Sequence, residues 1–243
     1  MANLIQSLAR KIFFGKTGNL ISFDEPYAIV AKLLGSHEVT GILDIGASNG
    51  RICQRLIRLF PQATVYAFEP NPMYRETLQG QAAQEPRLKP QFLAVSDREG
   101  RAELNITESP GSTSLFKPGE NLTGIYPEES HIQSVEEVET VTLDGWAGRQ
   151  GNPAIQLLKF DIQGGELNAL EGADSLLHSS ALLVYTEILF NPLYEGGAIY
   201  SEIDLCLREK GFVLYDIFKP RYHKNGKVLW GNAIFVHAQR MGI

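Results

Sequence analysis

The sequence is poor in cysteine and in clustered positive charge. Only Cys53 and Cys206 occur in 243 residues. They are too few for a disulfide framework and wrongly spaced for a zinc site, so we expect a protein of the reducing cytoplasm. Lys and Arg total 22 against 28 acidic residues and form no basic block. Because proteins that bind nucleic acid usually carry such a block to neutralise phosphates, we expect no nucleic-acid partner.

Long hydrophobic runs are also missing, although 44% of the residues are hydrophobic. No stretch approaches the roughly 20 apolar residues that span a bilayer, so we expect no transmembrane segment. Residues 1–36 are interpreted as an N-terminal helical segment, in which residues 1–16 place apolar side chains at helical spacing beside three cations. Such a helix either packs on its own domain or lies on a membrane surface, and we predict the former.

Residues 37–243 are predicted to form one compact α/β domain. Short β-rich runs alternate with helical patterns from residue 41 onward, which is typical of a parallel sheet with helices on both faces. The last two strands are expected to pair antiparallel around a polar turn. Residues 97–134 interrupt the alternation and are rich in turns, so we interpret about 107–134 as a loop insertion or lid. Predicted strands are 41–46, 64–68, 91–95, 102–106, 138–143, 155–160, 181–186, 212–218 and 233–236, and predicted helices are 51–60, 72–84, 166–171 and 199–210.

The turn after the first predicted strand is the strongest functional signal. The segment from Asp44 to Gly50 reads DIGASNG, and its small residues allow a ligand to approach the backbone closely. It lacks the third glycine of the dinucleotide-binding motif G-x-G-x-x-G. A wider turn of this kind suits a nucleoside that carries an amino acid.

Polar residues follow the next two predicted strands. Glu69 ends the second strand, where a carboxylate can accept hydrogen bonds from both hydroxyls of a ribose. Ser96 and Asp97 follow the third strand and offer a further contact to an adenosine, although a plain turn explains this pair nearly as well. The sequence therefore favours a ligand that contains a ribose.

Five segments resemble class I S-adenosylmethionine-dependent methyltransferases, and more narrowly the FkbM-like family. In the segment at 157–173, Gln163 stands where the family pattern K-x-D-x-E-G-x-E-x-x-x-L-x-G has Glu, and Gly165 replaces a more usual Ala. The resemblance covers residues 40–237. It implies a Rossmann-like class I methyltransferase fold with a largely parallel seven-stranded sheet, helices on both faces and an antiparallel last strand. The segments are ILDIGASNG at 42–50, YAFEPNP at 66–72, LAVSDREGRAEL at 93–104, VTLDGWA at 141–147 and LLKFDIQGGELNALEGA at 157–173.

The resemblance also implies S-adenosylmethionine as the cofactor. Residues 46–50 would then shape the methionine pocket, Glu69 would hold the ribose, and Ser96 and Asp97 would lie by the adenine. Asp161 would meet the amino group of the methionine or the acceptor. The expected cofactor-binding residues are Asp44, Gly46, Ala47, Ser48, Asn49, Gly50, Glu69, Pro70, Ser96, Asp97 and Asp161.

Three carboxylates are the candidate catalytic residues, as bases or as groups that orient the acceptor: Asp161, Glu187 and Glu166. Asp161 and Glu187 each end a predicted strand, so we expect both on one rim of the sheet. Asp161 could instead cap the following helix, and Glu166 could stabilise its first turn. Asp161 and Glu187 could also hold Mg²⁺, but two carboxylates are a weak signal and we predict no metal site. His131 is a further base to test.

The predicted function is transfer of a methyl group to a hydroxyl of a sugar or glycan, or of a small natural product. Two alternatives stay open. An NAD(P)-dependent oxidoreductase shares the turn and the acidic residue but needs the glycine that is missing here. A methyltransferase-like domain that binds without catalysis is suggested by Gln163. The sequence leaves the oligomeric state open.

Overall fold

The computed structural model of the protein describes residues 25–128 and 130–243. Short 3₁₀ turns lie at Pro72–Tyr74 and Pro110–Ser112. The strands are β1 Gly41–Ile45, β2 Thr64–Phe68, β3 Leu88–Gln91, β4 Ala94–Val95, β5 Gly100–Thr107, β6 Ile132–Val141, β7 Leu157–Phe160, β8 Leu183–Leu189, β9 Phe212–Tyr222 and β10 Val228–His237. The helices are α1 Pro26–Leu34, α2 Arg51–Leu59, α3 Arg75–Gln84, α4 Glu120–Ile125, α5 Leu143–Arg149, α6 Glu166–Glu171, α7 Asp174–Ser179, α8 Tyr200–Glu209 and α9 Ala238–Met241.

Seven strands form the main sheet in the order β3-β2-β1-β7-β8-β10-β9. The adjacent strands β3, β2, β1, β7 and β8 are all parallel, and β10 runs antiparallel to both β8 and β9. This confirms the predicted Rossmann-like α/β fold, with its largely parallel seven-stranded sheet and antiparallel last strand. The carboxyl ends of β1, β2, β7 and β8 consequently lie along one rim.

The sheet carries a hydrophobic core on each face. Successive side chains of a strand point to opposite faces, so in β1 Leu43 packs into one core and Ile42 into the other. Helices α5, α6, α7 and α8 contribute to the first core, and α1 and α2 contribute to the second. Burial on both faces explains why the inner strands read as continuous apolar runs in the sequence.

The third predicted strand, 91–95, is wrong as a single element. β3 covers Leu88–Gln91 at the edge of the main sheet, whereas Ala94–Val95 pairs with β6 in a separate three-stranded sheet of order β4-β6-β5. β3 contains Pro90, which an edge strand tolerates because one side of it needs no backbone donors. The two ends of the predicted strand therefore belong to two different sheets.

The turn-rich segment lies between two paired strands, and its interpretation as a loop insertion stays a prediction. β5 pairs antiparallel with β6 from Gly100 opposite Thr140 to Thr107 opposite Ile132. The chain between these strands carries the short helix α4. The strand predicted over 138–143 ends at Val141, because the Thr142 side chain accepts a hydrogen bond from Gly145 N at 3.0 Å and caps α5. Helices α5 and α7 were not predicted from the sequence.

Helix α1 is the described part of the N-terminal segment. Its residues Tyr27, Val30 and Leu34 are buried in the second core, and the Tyr27 ring lies edge-on to Tyr185 of β8 at 5.2 Å between centroids. Residues 1–24, which include the apolar pattern within 1–16, lie outside the described residues. The division into residues 1–36 and 37–243 stays a prediction.

Candidate active site

A cavity of about 770 Å³ lies at the carboxyl ends of β1, β2 and β7 and beside the last residues of β8. Its wall is completed by residues 93–96, by residues of the segment 110–126 and by side chains of β9 and β10. Ligands of open α/β sheets bind outside the carboxyl ends of the strands. The cavity is therefore where the topology places a binding site.

Two glycines shape the turn after β1. Gly46 has a φ angle of +82°, and a Cβ atom there would lie 2.0 Å from the backbone oxygen of Asp161. Gly50 has a φ angle of +76°, and its Cβ would lie 2.3 Å from Oε1 of Gln81. Gly46 is therefore required by a backbone contact, whereas Gly50 is favoured by its positive φ angle, because the Gln81 side chain could move. Gly46 lines the cavity, whereas Gly50 does not.

Glu69 ties the turn to the end of β2. Its Oε2 accepts a hydrogen bond from Ser48 N at 2.6 Å, and its Oε1 accepts one from Asn71 N at 2.9 Å. Burial raises the pKa of the Glu69 carboxyl, while the two N–H donors and Lys159 oppose that rise. Each carboxylate oxygen has a further lone pair, so Glu69 can accept additional hydrogen bonds from a ligand in the cavity.

A buried ion pair between β7 and β1 stabilises the same turn. Lys159 of β7 places Nζ 2.9 Å from Oδ1 of Asp44 and donates a hydrogen bond to the Gly46 carbonyl at 2.8 Å. Cys53 Sγ donates to the other Asp44 oxygen at 3.0 Å. Burial disfavours the Lys159 ammonium, but the Asp44 and Asp161 carboxylates outweigh it and raise its pKa above the ordinary value. Asp44 therefore holds the turn and does not line the cavity.

Asp161 and Glu187 lie together at the rim, as the sequence predicted. Asp161 follows β7 directly, whereas Glu187 lies within β8, opposite Asn232 of β10, and not after its end. Gln163 connects them, since its Nε2 donates to Asp161 Oδ1 and to Glu187 Oε2, each at 2.9 Å. Burial, and then the neighbouring carboxylates of Asp161 and Glu166, raise the pKa of Glu187 well above its usual range. We call Asp161, Gln163 and Glu187 the acidic corner.

Glu166 lies beneath the loop that carries the acidic corner. Its Oε1 accepts from Ile162 N and its Oε2 from Gly164 N, both at 2.9 Å. The side chain is buried, and burial raises its pKa to about 7 although these N–H groups oppose the shift. Glu166 does not line the cavity. Its position fits a group that holds the loop, and its predicted part in catalysis stays a prediction.

The other side of the cavity is mainly apolar and aromatic. Leu122, Leu189, Leu193 and Tyr194 form a small buried cluster against which further rings of the cavity wall pack. The segment 110–126 is joined to the loop after β8 by backbone hydrogen bonds, for example from Gly119 N to Leu193 O at 2.8 Å. At the β9–β10 edge, the guanidinium carbon of Arg221 lies 5.6 Å from the centre of the Trp230 ring.

The structure brings together about half of the residues that the sequence singled out. Roles in binding or catalysis stay predictions for all of them. His131 is exposed, with Nδ1 3.2 Å from the Glu108 carboxylate, and does not line the cavity. Those that line the cavity are Gly46, Ser48, Glu69, Pro70, Ser96, Asp161 and Glu187. Those that do not are Asp44, Ala47, Asn49, Gly50, Asp97 and Glu166.

Several cavity residues were missed by the sequence analysis. Asn71 is 2% exposed, and no group among the described residues accepts a hydrogen bond from its Nδ2. Its place two residues after Glu69 could have suggested it. Arg221 and Trp230 lie on strands that were predicted, but nothing in a strand pattern shows which residues face a cavity formed by distant elements.

The described part of the chain holds neither a cluster of metal-ligating side chains nor a membrane-spanning helix. Residues 25–128 and 130–243 contain no group of three or more His, Cys, Asp or Glu side chains arranged to hold a metal ion. Within the same ranges, no helix has the length and apolar character needed to cross a bilayer.

Comparison with known proteins identifies the family. The profile described as the methyltransferase FkbM domain matches residues 44–214. The chain belongs to the FkbM methyltransferase family. The match includes the turn after β1, Glu69 and the acidic corner. The NAD(P)-dependent oxidoreductase alternative has no support from this assignment.

Two proteins that are similar in sequence are named as methyltransferases. The chain is 29% identical over 164 residues to the 2-O-methyltransferase NoeI of Sinorhizobium fredii, which covers 64% of this chain and 65% of that protein. It is 28% identical over 204 residues to the methyltransferase sdnD of Sordaria araneosa, covering 74% and 75% of the two chains. The crystal structure of methyltransferase FkbM from Methylobacillus flagellatus aligns with a TM-score of 0.48 and 16% identity, over 82% of this chain and 44% of that one. The chain thus spans less than two thirds of the first relative and under half of this solved structure.

Proposed function

We propose that the protein is an S-adenosylmethionine-dependent O-methyltransferase that acts on a hydroxyl of a sugar, a glycan or a natural product. The observation that carries the proposal is that Glu69 and the acidic corner line the same cavity at the carboxyl rim of the sheet. Glu69 suits a ribose, and the acidic corner suits a hydroxyl that must lose its proton. Family membership supports the reaction class.

The residues around Glu69 fit the proposed cofactor. Glu69 would hold the ribose hydroxyls, and the buried Asn71 amide, which has no acceptor among the described residues, would donate to a further polar atom of the nucleoside. A buried donor without a partner is costly, so a ligand acceptor at this position explains its presence. When bound, S-adenosylmethionine supplies a methyl group on a positively charged sulfur, which is a strong electrophile.

The acceptor would occupy the part of the cavity between the acidic corner and the β9–β10 edge. Trp230 and Tyr126 offer aromatic faces on which a sugar ring can stack. Arg221 and Asn232 offer donors for polar substituents. The name of NoeI describes a 2-O-methyltransferase, which supports a hydroxyl as the methylated group.

The chain's own residues have three tasks in this reaction. Asp161 Oδ2 or a Glu187 oxygen takes up the hydroxyl proton, which is the role of a general base. Lys159, with Nζ 3.8 Å from Asp161 Oδ2, places a positive charge beside this carboxyl group. The segment 110–126 excludes water from the cavity, so that the acceptor hydroxyl and not a water molecule faces the carboxylates.

A methyl-transfer assay tests the proposal. The purified protein is incubated with S-adenosylmethionine labelled in the methyl group and a panel of hydroxylated glycans and natural products, and S-adenosylhomocysteine and labelled product are quantified. We expect stoichiometric formation of both with at least one acceptor, and loss of both in Asp161→Asn. Tight binding of the cofactor with no turnover on any hydroxyl would instead support the non-catalytic binding domain.

The remaining expectations are part of this proposal. We propose a cytoplasmic protein on the basis of its two unpaired cysteines. We further propose a small-molecule or glycan partner and, from the net charge of −6, no nucleic-acid partner. Contact of residues 1–16 with a membrane concerns residues outside the described ranges. Mg²⁺ is not part of the proposed mechanism.

A further inference from the structure

Gln163 lies between two carboxylates that belong to different strands. Both hydrogens of its amide are used, one toward Asp161 Oδ1 and one toward Glu187 Oε2, each at 2.9 Å between nitrogen and oxygen. A carboxylate accepts hydrogen bonds and donates none, and a protonated carboxyl still accepts through its carbonyl oxygen. A neutral side chain that donates to both therefore bridges the two carboxyl groups without adding a charge.

The orientation of this amide is fixed from its other end. Tyr194, a buried residue, donates its hydroxyl hydrogen to Gln163 Oε1 at 2.7 Å. A flipped amide would turn Oε1 toward two carboxylates and leave both without a donor. The hydrogen-bond network thus permits one amide orientation.

The backbone of Gln163 is also held in place. Its φ angle is +58°, a conformation that residues with a side chain other than Asn or Asp adopt rarely. Ser114 Oγ, from the segment that lines the cavity, donates to the Gln163 carbonyl at 2.8 Å. Strained backbone that persists because its surroundings fix it is frequent at functional sites.

The Gln163 amide opposes the effect of the acidic neighbours on the pKa of Glu187. Asp161 at the end of β7 and Glu166 of α6 are acidic neighbours that raise the pKa of Glu187, whereas Lys159 of β7 and the Gln163 amide lower it. From β10, the residue opposite Glu187 is the neutral Asn232, and Arg221 of β9 lines the same cavity. Two close carboxylates without a donor between them tend to share one proton.

We propose that Gln163 is a positioning residue of the acceptor site, whose amide holds the carboxyl groups of Asp161 and Glu187 apart and in fixed orientation toward the acceptor hydroxyl. The inference rests on the proposed function for the identity of the acceptor, but not for the arrangement of the carboxyl groups. It assigns a task to a residue at which the chain departs from the FkbM-like pattern.

The test is a titration of the free protein. Glu and Asp side chains labelled with ¹³C at the carboxyl carbon are followed by NMR as a function of pH, with Glu187 assigned from the spectrum of Glu187→Gln. Gln163→Met keeps the length of the side chain and removes both donors. We expect one carboxyl of the pair to bind its proton about tenfold more tightly in this variant, a rise of about one pH unit in its midpoint.

Two further variants separate this effect from a general disturbance of the loop. Gln163→Asn suits the positive φ angle better than Gln and so should fold, but its amide is one methylene shorter and cannot contact both carboxylates. It should show the same rise. Ser114→Ala removes the hydrogen bond to the Gln163 carbonyl and leaves the amide in place, so its midpoints should match those of the wild type.

Unchanged midpoints in both Gln163 variants would overturn the inference, and so would an equal rise in Ser114→Ala. With an acceptor in hand, the low-pH limb of kcat should also move to higher pH in Gln163→Met, because a base must be deprotonated to act. If no hydroxyl is methylated but the midpoints rise, the proposed function fails and the assignment of Gln163 stands. If methylation occurs and the midpoints do not move, Gln163 alone is wrongly assigned.

Discussion

Replacing Glu69 should weaken cofactor binding and fold stability by separable amounts. In Glu69→Ala, the N–H groups of Ser48 and Asn71 lose their acceptor. An unpaired buried N–H costs about 1–3 kcal/mol, so we expect a loss of roughly 2–6 kcal/mol in the free energy of unfolding, less where water reaches the site. A hydrogen bond to a charged acceptor contributes about 1.5–3 kcal/mol. Loss of one such bond to the ribose would raise the Kd about 10- to 150-fold.

The design of the assay keeps these two effects apart. Glu69→Gln retains one acceptor oxygen and the shape of the side chain, so it should unfold less readily than Glu69→Ala while still losing the charge. Affinity for S-adenosylhomocysteine is measured by calorimetry at a temperature where thermal unfolding shows every variant to be folded. Glu76→Ala, which removes an exposed carboxylate of α3, is the matched control and should bind like the wild type. A wild-type Kd in both folded Glu69 variants would refute the assignment of Glu69.

Four other substitutions test separate parts of the structure. Asp161→Asn keeps an oxygen for the Gln163 amide and should lower kcat about 100-fold or more with little change in the Kd of S-adenosylhomocysteine; a weaker Kd with normal kcat would mean that Asp161 holds the cofactor. The Glu166 pKa is raised from 4.5 to about 7, so its contribution to stability is complete below pH 4.5 and lost as the pH rises through 7. Urea unfolding should therefore show the stability of wild type relative to Glu166→Gln falling by roughly 2 kcal/mol from pH 5 to 8, and a difference independent of pH would contradict this. Gly46→Ala should prevent stable folding, because its Cβ would lie 2.0 Å from a backbone oxygen. In Gly80→Ala of α3 the new Cβ meets nothing within 4 Å, so this variant should stabilise the fold by about 0.5–1 kcal/mol. Melting temperatures of both variants equal to that of the wild type would contradict these two predictions.

The location of the site could be predicted because sequence patterns report strand ends. Gly46, Glu69 and Asp161 each directly follow a buried strand, and parallel strands bring their carboxyl ends to one rim. Knowing that these residues end strands is enough to place them together. The direction of the last strand was equally accessible, because the polar turn near residues 224–226 joins β9 to β10.

What could not be predicted depends on contacts between distant segments. Gln163 contacts Glu187 and Tyr194, which lie 24 and 31 residues further along the chain, and no local pattern encodes such a bridge. Edge position is another such property. β3 contains Pro90, which a local interpretation excludes from a strand, and only the strand order shows that it forms the edge of the sheet.

The central claim is that the cavity binds the adenosyl nucleoside with its ribose at Glu69 and its sulfur toward Asp161 and Glu187. A crystal structure of the protein with S-adenosylhomocysteine tests it most directly. The account predicts ribose hydroxyls about 2.7 Å from the Glu69 carboxylate and the sulfur facing the acidic corner. Density for the nucleoside at another surface, or in this cavity with its ribose away from Glu69, would contradict it.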